Sequence, residues 1–165
     1  KLVTDIYRTQ IEMGLLDNAE EQNPEARAML ADMLDNHDRH GRATGKGFYD
    51  YSDGGKTIWH GLSKWRKDDA EISDQDIQDR ILFRPILESL RCLVEGFMRS
   101  AADGNIGSIM GIGAPAHTGG YIQYVNTYGL DRFITRCEEL ADKYGPRFQP
   151  PAILREYAAE GRIFH

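Results

Sequence analysis

The sequence has few cysteines, no excess of positive charge and no long apolar run. Cys92 and Cys137 are the only cysteines in 165 residues and do not form a CxxC pair, so neither a disulfide framework nor a zinc finger is predicted. Twenty Lys and Arg stand against 26 Asp and Glu, for a net charge of -6, which disfavours broad binding to nucleic acid. No stretch approaches the roughly 18 apolar residues of a membrane span, and no secretory signal opens the chain. We therefore expect a cytoplasmic protein without a membrane span.

The composition that remains is typical of a globular protein. Hydrophobic residues make up 41% and charged residues 28% of the chain, and the length suits one ordinary domain or two small ones. The chain begins at Lys1 rather than at a methionine, and Leu2, Val3 and Ile6 already follow helical spacing. We interpret the sequence as a fragment or a processed piece of a longer protein.

The first third of the chain predicts two helices and a hairpin. Apolar periodicity gives a first helix that ends at Gly14, and Asn23 followed by Pro24 predicts the start of a second. Residues 48–51 and 56–59 are rich in aromatic and β-branched side chains and flank a glycine-containing turn. This pattern is typical of a small β-hairpin.

A long helix is predicted after residue 73, where Ser73 and Asp76 form a capping signal. Pro85 predicts a kink or a split in this helix, because proline lacks the backbone donor and clashes with the preceding turn, and Asp103 with Gly104 predicts its end. Shorter helices are expected at 121–128, at 130–144 and between Pro151 and Gly161. The apolar stripe of the long helix is formed by Ile77, Ile81, Leu82, Ile86, Leu90, Leu93 and Phe97.

An internal repeat indicates a duplicated helical unit. Residues 28–30 (AML) lead through a helix to Gly41-Arg42, and residues 152–154 (AIL) lead to Gly161-Arg162. The first copy is longer by four residues, about one helical turn. The predicted organisation is a truncated first repeat ending in the hairpin at 1–59, a connection at 60–72 and a second repeat at 73–165.

Five segments with glycine or proline follow one another in a family-specific order. Residues 41–51 (GRATGKGFYDY) resemble the segment that closes the first C-terminal repeat of L-3-hydroxyacyl-CoA dehydrogenases. The second half resembles the second such repeat in the multifunctional fatty-acid oxidation proteins. The fold implied is all-α, with duplicated helical lobes like the C-terminal domain of 6-phosphogluconate dehydrogenase and one short hairpin. The segments of the second half are 91–96 (RCLVEG), 106–113 (IGSIMGIG), 118–120 (TGG) and 144–154 (YGPRFQPPAIL).

The resemblance implies a parent enzyme whose reactive parts lie elsewhere. Family members bind NAD in an upstream domain that also carries the catalytic histidine and glutamate, and multifunctional members add an enoyl-CoA hydratase domain. The active-site asparagine of the first repeat would precede Lys1, and its counterpart in the second repeat is Asp79 before Arg80. An acyl-CoA substrate, a homo-oligomer and a thiolase subunit are the implied partners. The fragment alone is expected to be inactive, with no catalytic, cofactor-binding or metal residues of its own.

Five groups of residues have both a structural and a functional interpretation. Arg42 and Lys46 are expected to be solvated, with contact to the phosphates of CoA as the alternative. The polar helix end that carries His37 and His40 explains these histidines more simply than a metal site does, and His117 is interpreted as a surface-loop residue. The tyrosines of 121–128 are predicted to pack in a core or an interface. The glycines of 111–113 lack the third glycine and the preceding strand of a dinucleotide site, so a structural loop is favoured.

A function of a different class also stays open, namely a stand-alone helical interaction module without catalysis. A truncated first repeat would expose apolar side chains that its missing helices would otherwise cover. We therefore expect an exposed patch near the N-terminus that includes Leu2, Val3, Ile6 and the face around Met29 and Met33.

Overall fold

The structure is a computed structural model that describes residues 2–14, 24–68 and 70–165. It divides into two compact units, Lys1–Ala70 and Glu71–His165. The described residues form helices in both units and one two-stranded sheet in the first. The expected all-α fold with one short hairpin is confirmed, whereas the duplication stays a prediction. Within the described ranges, no helix has the length and apolarity to cross a bilayer.

The first unit contains two helices followed by the hairpin. As predicted, the first helix, α1 (Leu2–Glu12), stops near Gly14, which has a left-handed φ of 66°. The two strands are antiparallel, with Tyr49 paired to Ile58 and Ser52 to Gly55, so the predicted β-hairpin is confirmed. The predicted cap at Asn23 lies outside the described residues. The elements are α1 (Leu2–Glu12), α2 (Pro24–Asp35), β1 (Tyr49–Ser52), β2 (Gly55–Ile58) and 3-10 helices at Arg42–Thr44 and His60–Trp65.

Arg39 ties the end of α2 to the hairpin. Its Nε donates to the carbonyl of Gly47 at 2.6 Å, and its Nη2 donates to the carbonyl of Tyr49 at 3.1 Å and to Asp50 Oδ1 at 2.6 Å. Its guanidinium lies 4.4 Å from the centroid of the buried Trp59 ring. Since Arg39 itself is only 7% exposed, these bonds satisfy a cation held away from water.

The predicted apolar patch of the first unit is confirmed only in part. Ile6, Ile11 and Met13 are exposed on and after α1, but Met33 is buried. The prediction for Met33 was wrong, because its side chain is only 3% exposed, and Met29 is half-buried. The side chains of Leu2 and Val3 lie outside the described residues.

The second unit is a bundle of five helices around one apolar core. The ring of Phe83 at its centre lies 4.4 Å from that of Phe133 and 5.5 Å from that of Tyr128, measured between centroids. Leu87, Ile122 and other apolar side chains close around these rings without exposure to solvent. The elements are α3 (Asp74–Val94), α4 (Ala101–Ile112), α5 (Tyr121–Tyr128), α6 (Leu130–Tyr144) and α7 (Ala152–Ala159).

The face that α3 buries differs from the predicted one at its first two turns. Ile77 and Ile81 are 43% and 72% exposed, whereas Asp76 and Asp79 are 4% and 3% exposed. The buried stripe that passes through Phe83 continues backwards by helical spacing to both aspartates. The apolar pattern therefore gave the wrong face here, because the bundle buries carboxylates and neutralises them.

The boundary between α3 and α4 also differs from the prediction. α3 continues through Pro85 without a split and ends at Val94, after which Gly96 takes a left-handed φ of 78°. The side chain of Ser100 then accepts a hydrogen bond from the backbone N–H of Asp103 at 3.1 Å. Asp103 thus belongs to the first turn of α4 and does not end the preceding helix, because a serine three residues earlier caps it.

Candidate functional site

Two buried carboxylates at the start of α3 form the most strongly charged buried cluster in the second unit. The side chains of Asp76 and Asp79 are 6% and 4% exposed. Arg136, from α6, bridges them: its Nη2 lies 2.5 Å from Asp76 Oδ1 and its Nε 2.7 Å from Asp79 Oδ2. One guanidinium therefore bonds one oxygen of each acid, and Lys143 supplies the second positive charge of the cluster.

The remaining carboxylate oxygens have donors of their own. Lys143 Nζ and the Tyr144 hydroxyl donate to Asp76 Oδ2 at 2.6 and 2.5 Å. The side-chain amide of Gln75 donates to Asp79 Oδ1 at 2.8 Å. Each of the four carboxylate oxygens thus accepts at least one hydrogen bond, which offsets the cost of removing two acids from water.

The charges of Asp76 and Arg136 are fixed across the physiological pH range. Hydrogen bonds from Lys143, Tyr144 and Arg136 hold the pKa of Asp76 well below its usual value, against the opposing effect of burial. Burial alone would lower the pKa of Arg136, but hydrogen bonds to neighbouring carboxylates raise it. A general acid or base needs a pKa near the working pH, so the cluster suits bracing α3 against α6. Asp79 lies inside this brace, bonded to Arg136 and Gln75.

The two cations predicted as candidate CoA contacts lie on one tight loop of the first unit. The backbone N–H of Gly41 donates to the carbonyl of Lys46 at 2.7 Å, and Gly45 turns the chain with a left-handed φ of 73°. Arg42 and Lys46 are both exposed, and the Arg42 guanidinium lies 6.0 Å from the Tyr51 ring centroid. Neither cation forms an ion pair within the described part of the chain, so both stay accessible to an anion.

The glycines at 111–113 stand at the wrong end of a helix for a phosphate site. Gly113 follows the last turn of α4 with a left-handed φ of 73°, and its N–H donates to the carbonyl of Ser108. Phosphate groups bind at helix N-termini, where free N–H groups point outward. The structural interpretation of this motif is therefore confirmed.

Asn105, which directly precedes the motif at 106–113, caps the start of α5. The Asn105 side-chain oxygen accepts hydrogen bonds from the backbone N–H groups of Ile122 at 3.0 Å and Gln123 at 2.8 Å. Gly120 has a φ of 105°, and a Cβ there would lie 2.5 Å from the Asn105 Cα. The close approach of these two backbones requires glycine. The segments at 106–113 and 118–120 thus lie on either side of a contact in which a side chain of α4 caps the N-terminus of α5.

His37 and His40 each lie beside one carboxylate, but they do not form a metal-binding cluster among the described residues. His37 Nε2 lies 3.5 Å from Asp32 Oδ2, and His40 Nε2 lies 2.7 Å from Asp38 Oδ1. Across residues 2–14, 24–68 and 70–165, no three His, Cys, Asp or Glu side chains are arranged to hold a metal ion. His117 is exposed in a short 3-10 helix, as its interpretation as a surface residue requires.

The tyrosines of α5 and the cysteine of α6 belong to the core. Tyr121 is buried, and the rings of Tyr124 and Tyr128 pack 5.6 Å apart beside Phe83, which confirms the prediction that they pack internally. Burial also raises the pKa of the Cys137 thiol to about 12. Since the thiolate is the reactive form, this cysteine is inert.

Sequence reasoning missed the partners of the buried aspartates. Arg136 and Lys143 are seven residues apart and therefore lie on one stripe of α6. Asp76 and Asp79 share the stripe of α3 that leads to Phe83. Two acids on an apolar stripe and two cations on another were the available signal, but only the packing of α3 against α6 pairs them.

No protein-family model matches the chain. It is 40% identical over 136 residues to the fatty acid oxidation complex subunit alpha of Vibrio parahaemolyticus, a match that covers 81% of this chain and 19% of that protein. The subunits of the same name from Shewanella amazonensis and Vibrio cholerae are 36% and 37% identical, over 146 and 137 residues, and the matches cover 81% of this chain. The resemblance drawn from the motifs is confirmed. The chain spans about a fifth of the length of these curated relatives.

Proposed function

We propose that the chain is the C-terminal helical part of an NAD-dependent L-3-hydroxyacyl-CoA dehydrogenase of fatty-acid β-oxidation, from a multifunctional protein that also carries hydratase activity. The observation that carries the proposal is the match of 36–40% identity over 81% of the chain to alpha subunits of the fatty acid oxidation complex. The coding sequence upstream of Lys1 tests it. A Gly-x-Gly-x-x-Gly segment after a strand would support the dehydrogenase, whereas a polar opening helix would favour a stand-alone interaction module.

The described residues do not fit the NAD cofactor of such a protein. Their only sheet is the hairpin of β1 and β2, and the glycines of 111–113 close a helix. A dinucleotide site needs a strand that leads through glycines into a helix N-terminus. We therefore assign NAD to the parent's upstream domain and no step of the oxidation to this chain.

The part that we assign to this chain is to form and brace the wall of the acyl-CoA cleft. The cluster of Asp76, Asp79 and Arg136 supports this role, because its ion pairs join α3 to α6. In the full-length parent, Asp79→Asn should leave kcat nearly unchanged when it is assayed well below the melting temperature. Loss of the asparagine of the first repeat should reduce kcat strongly. A hundredfold fall in kcat for Asp79→Asn would contradict a bracing role.

Arg42 and Lys46 are the proposed contacts to CoA phosphates within this part. Their exposure and lack of ion-pair partners among the described residues leave both charges available for phosphate. Titration calorimetry of the full-length parent with CoA should show at least tenfold weaker binding for the double change Arg42→Gln and Lys46→Gln. The matched control is Lys56→Gln in the nearby hairpin, where the ammonium already lies 4.6 Å from the Tyr49 ring centroid. Equal affinity in both variants would exclude these contacts.

The proposed parent acts in a larger assembly. The relatives are named as subunits of a complex, and we propose a thiolase subunit and a second copy of the parent as partners. In sedimentation equilibrium, the exposed Ile6, Ile11 and Met13 should favour self-association of the isolated chain. A monomer at high micromolar concentration would contradict this part of the proposal.

A further inference from the structure

The last residues of the second unit pack as a short peptide against α5 and α7. After α7, Gly161 turns the chain with a left-handed φ of 63°, and the backbone N–H of Arg162 donates to the carbonyl of Tyr157 at 2.8 Å. Residues 162–165, the docked segment, all lie within the described ranges and form neither helix nor strand. Phe164 in this segment is nevertheless only 4% exposed and belongs to the apolar core.

One side chain of α5 recognises the backbone of the docked segment. Asn126 Nδ2 donates to the carbonyl of Phe164 at 2.8 Å, and Asn126 Oδ1 accepts from the backbone N–H of Phe164 at 3.0 Å. The amide thus makes the pair of hydrogen bonds that a residue of a neighbouring antiparallel strand would make. A donor and an acceptor at this spacing suit a peptide backbone, whatever side chain the bound residue carries.

The Tyr157 ring on α7 contacts two side chains of the docked segment. The Phe164 ring stacks on it with centroids 4.6 Å apart and planes inclined by 20°, and the Arg162 guanidinium lies 4.0 Å from its centroid. Residues two apart point to the same side of an extended chain, and Ile163 between them is 48% exposed. Glu160 Oε2 accepts from Arg162 Nη1 at 2.7 Å, so the site favours a cation two residues before an aromatic ring.

An open hollow adjoins the docked segment. Its volume is about 560 Å³, and its lining includes Phe164 and His165 of the segment together with Leu93 and Ile153. A hollow of this size and apolar character is in the range of sites that hold small ligands. The docked segment therefore occupies only part of a larger recess, and a peptide with apolar residues after its aromatic ring can make contacts that this segment does not make.

We propose that Asn126, Tyr157 and the slot that holds Phe164 form a docking site for an extended peptide of the pattern Arg-x-Phe. Residues 162–165 occupy the site within the chain, and the occupant from outside is a segment of a partner protein with this pattern and apolar residues after it. The docked segment follows α7 through a single turn at Gly161, so it can leave the site while α7 stays folded. The site goes beyond the proposed function and does not depend on the activity of the parent.

The test returns the docked segment as a free peptide to a chain whose slot is empty. Phe164→Ala removes the ring from the slot of the full chain, and an acetylated peptide of residues 161–165 (GRIFH) is titrated into it. Calorimetry and the NMR signals of the Asn126 side-chain amide should show saturable binding, at least tenfold tighter than to the wild type, because apparent affinity falls with the fraction of open sites. The same peptide with alanine in place of phenylalanine should not bind.

A second pair of variants tests the recognition of the backbone. Adding Asn126→Ala to Phe164→Ala removes both hydrogen bonds to the bound residue and should weaken peptide binding at least tenfold. The matched control is Thr127→Ala in the same background. Thr127 is the next residue of α5, and its hydroxyl donates to the carbonyl of Gln123, so this change should leave the affinity unchanged.

The outcomes separate a docking site from adsorption to apolar surface. Equal affinity for the phenylalanine and alanine peptides, or binding that Asn126→Ala leaves unchanged, would overturn the proposal. If Phe164→Ala fails to fold by circular dichroism, Phe164→Leu takes its place, because leucine keeps an apolar side chain in the core but loses the stacking on Tyr157. In the wild type, a GRIFH peptide extended by two leucines should displace the docked segment and shift the amide signal of Phe164. No shift at saturating peptide would contradict occupation by a partner.

Discussion

Replacement of Arg136 by glutamine tests whether the buried cluster is a brace. The change leaves Asp79 without its cation among the described residues, while Asp76 keeps Lys143 and Tyr144. Removing one partner of a buried ion pair costs about 3 to 5 kcal/mol. Since Asp76 stays paired and the Arg136 side chain is 20% exposed, we expect the lower end of that range, about 3 kcal/mol.

This loss is large relative to the stability of the unit that contains the cluster. Glu71–His165 is a unit of about 95 residues, for which a free energy of unfolding of roughly 5 to 14 kcal/mol is usual. A destabilisation of about 3 kcal/mol should lower its melting temperature by about 12 to 24 °C. The same change should leave the first unit untouched, because the hydrogen bonds of Arg136 are made to Asp76, Asp79 and Glu139 of its own unit.

Two optical signals separate the units in one experiment. Both tryptophans of the chain, Trp59 and Trp65, lie in the first unit, so tryptophan fluorescence reports that unit, whereas circular dichroism at 222 nm reports helices in both. The control is Arg155→Gln, which breaks an exposed ion pair with Glu138 at 2.6 Å and should cost less than about 1 kcal/mol. If Arg136→Gln melts no earlier than Arg155→Gln, the cluster does not stabilise the bundle.

Three further predictions concern the pH dependence of stability, two glycines and the two cysteines of the second unit. Because the pKa of Asp76 is depressed in the folded state, ionised Asp76 stabilises the fold fully above the ordinary carboxyl pKa of about 4, and this stabilisation is lost as the pH falls below that value. The melting temperature of Asp76→Asn should therefore fall less steeply than that of the wild type between about pH 5 and pH 2.5. Gly120→Ala should cost more than about 2 kcal/mol because its Cβ would clash at 2.5 Å, whereas Gly107→Ala, with nothing within 4 Å, should stabilise α4 by up to about 1 kcal/mol; urea unfolding measures both. A thiol reagent at pH 8 should label the half-buried Cys92 in the folded chain and leave Cys137 unmodified, since burial raises the Cys137 pKa to about 12; labelling of two thiols per folded chain would contradict that burial.

Local signals in the sequence were enough for most of the helices. The capping pair of Ser73 and Asp76 and the proline before α7 act within one helical turn, so they can be read without knowing the fold. The hairpin was predictable for the same reason. The break after Val94 was missed because Ser100 and Asp103 form a second capping pair inside a continuous apolar pattern.

The interior of the second unit could not be predicted from periodicity. Ile77 and Ile81 carry the stronger apolar signal at the start of α3, yet they face outward. The stripe through Asp76 and Asp79 faces inward because Arg136 and Lys143 meet it from α6, some 57 to 67 residues later in the sequence. The cost of burying an acid depends on its partner, and the partner is known only when the helices are packed.

The glycine content of α4 has a consequence for how the second unit opens. Three of its twelve residues are glycine, and each costs about 1 kcal/mol of helix stability relative to alanine. α4 is therefore a poor helix by itself, but its Asn105 satisfies two N–H groups at the start of α5. When α4 unwinds, α5 loses its cap at the same moment. In hydrogen exchange, the amides of the two helices should behave as one cooperative unit that becomes labelled before those of α3 and α6.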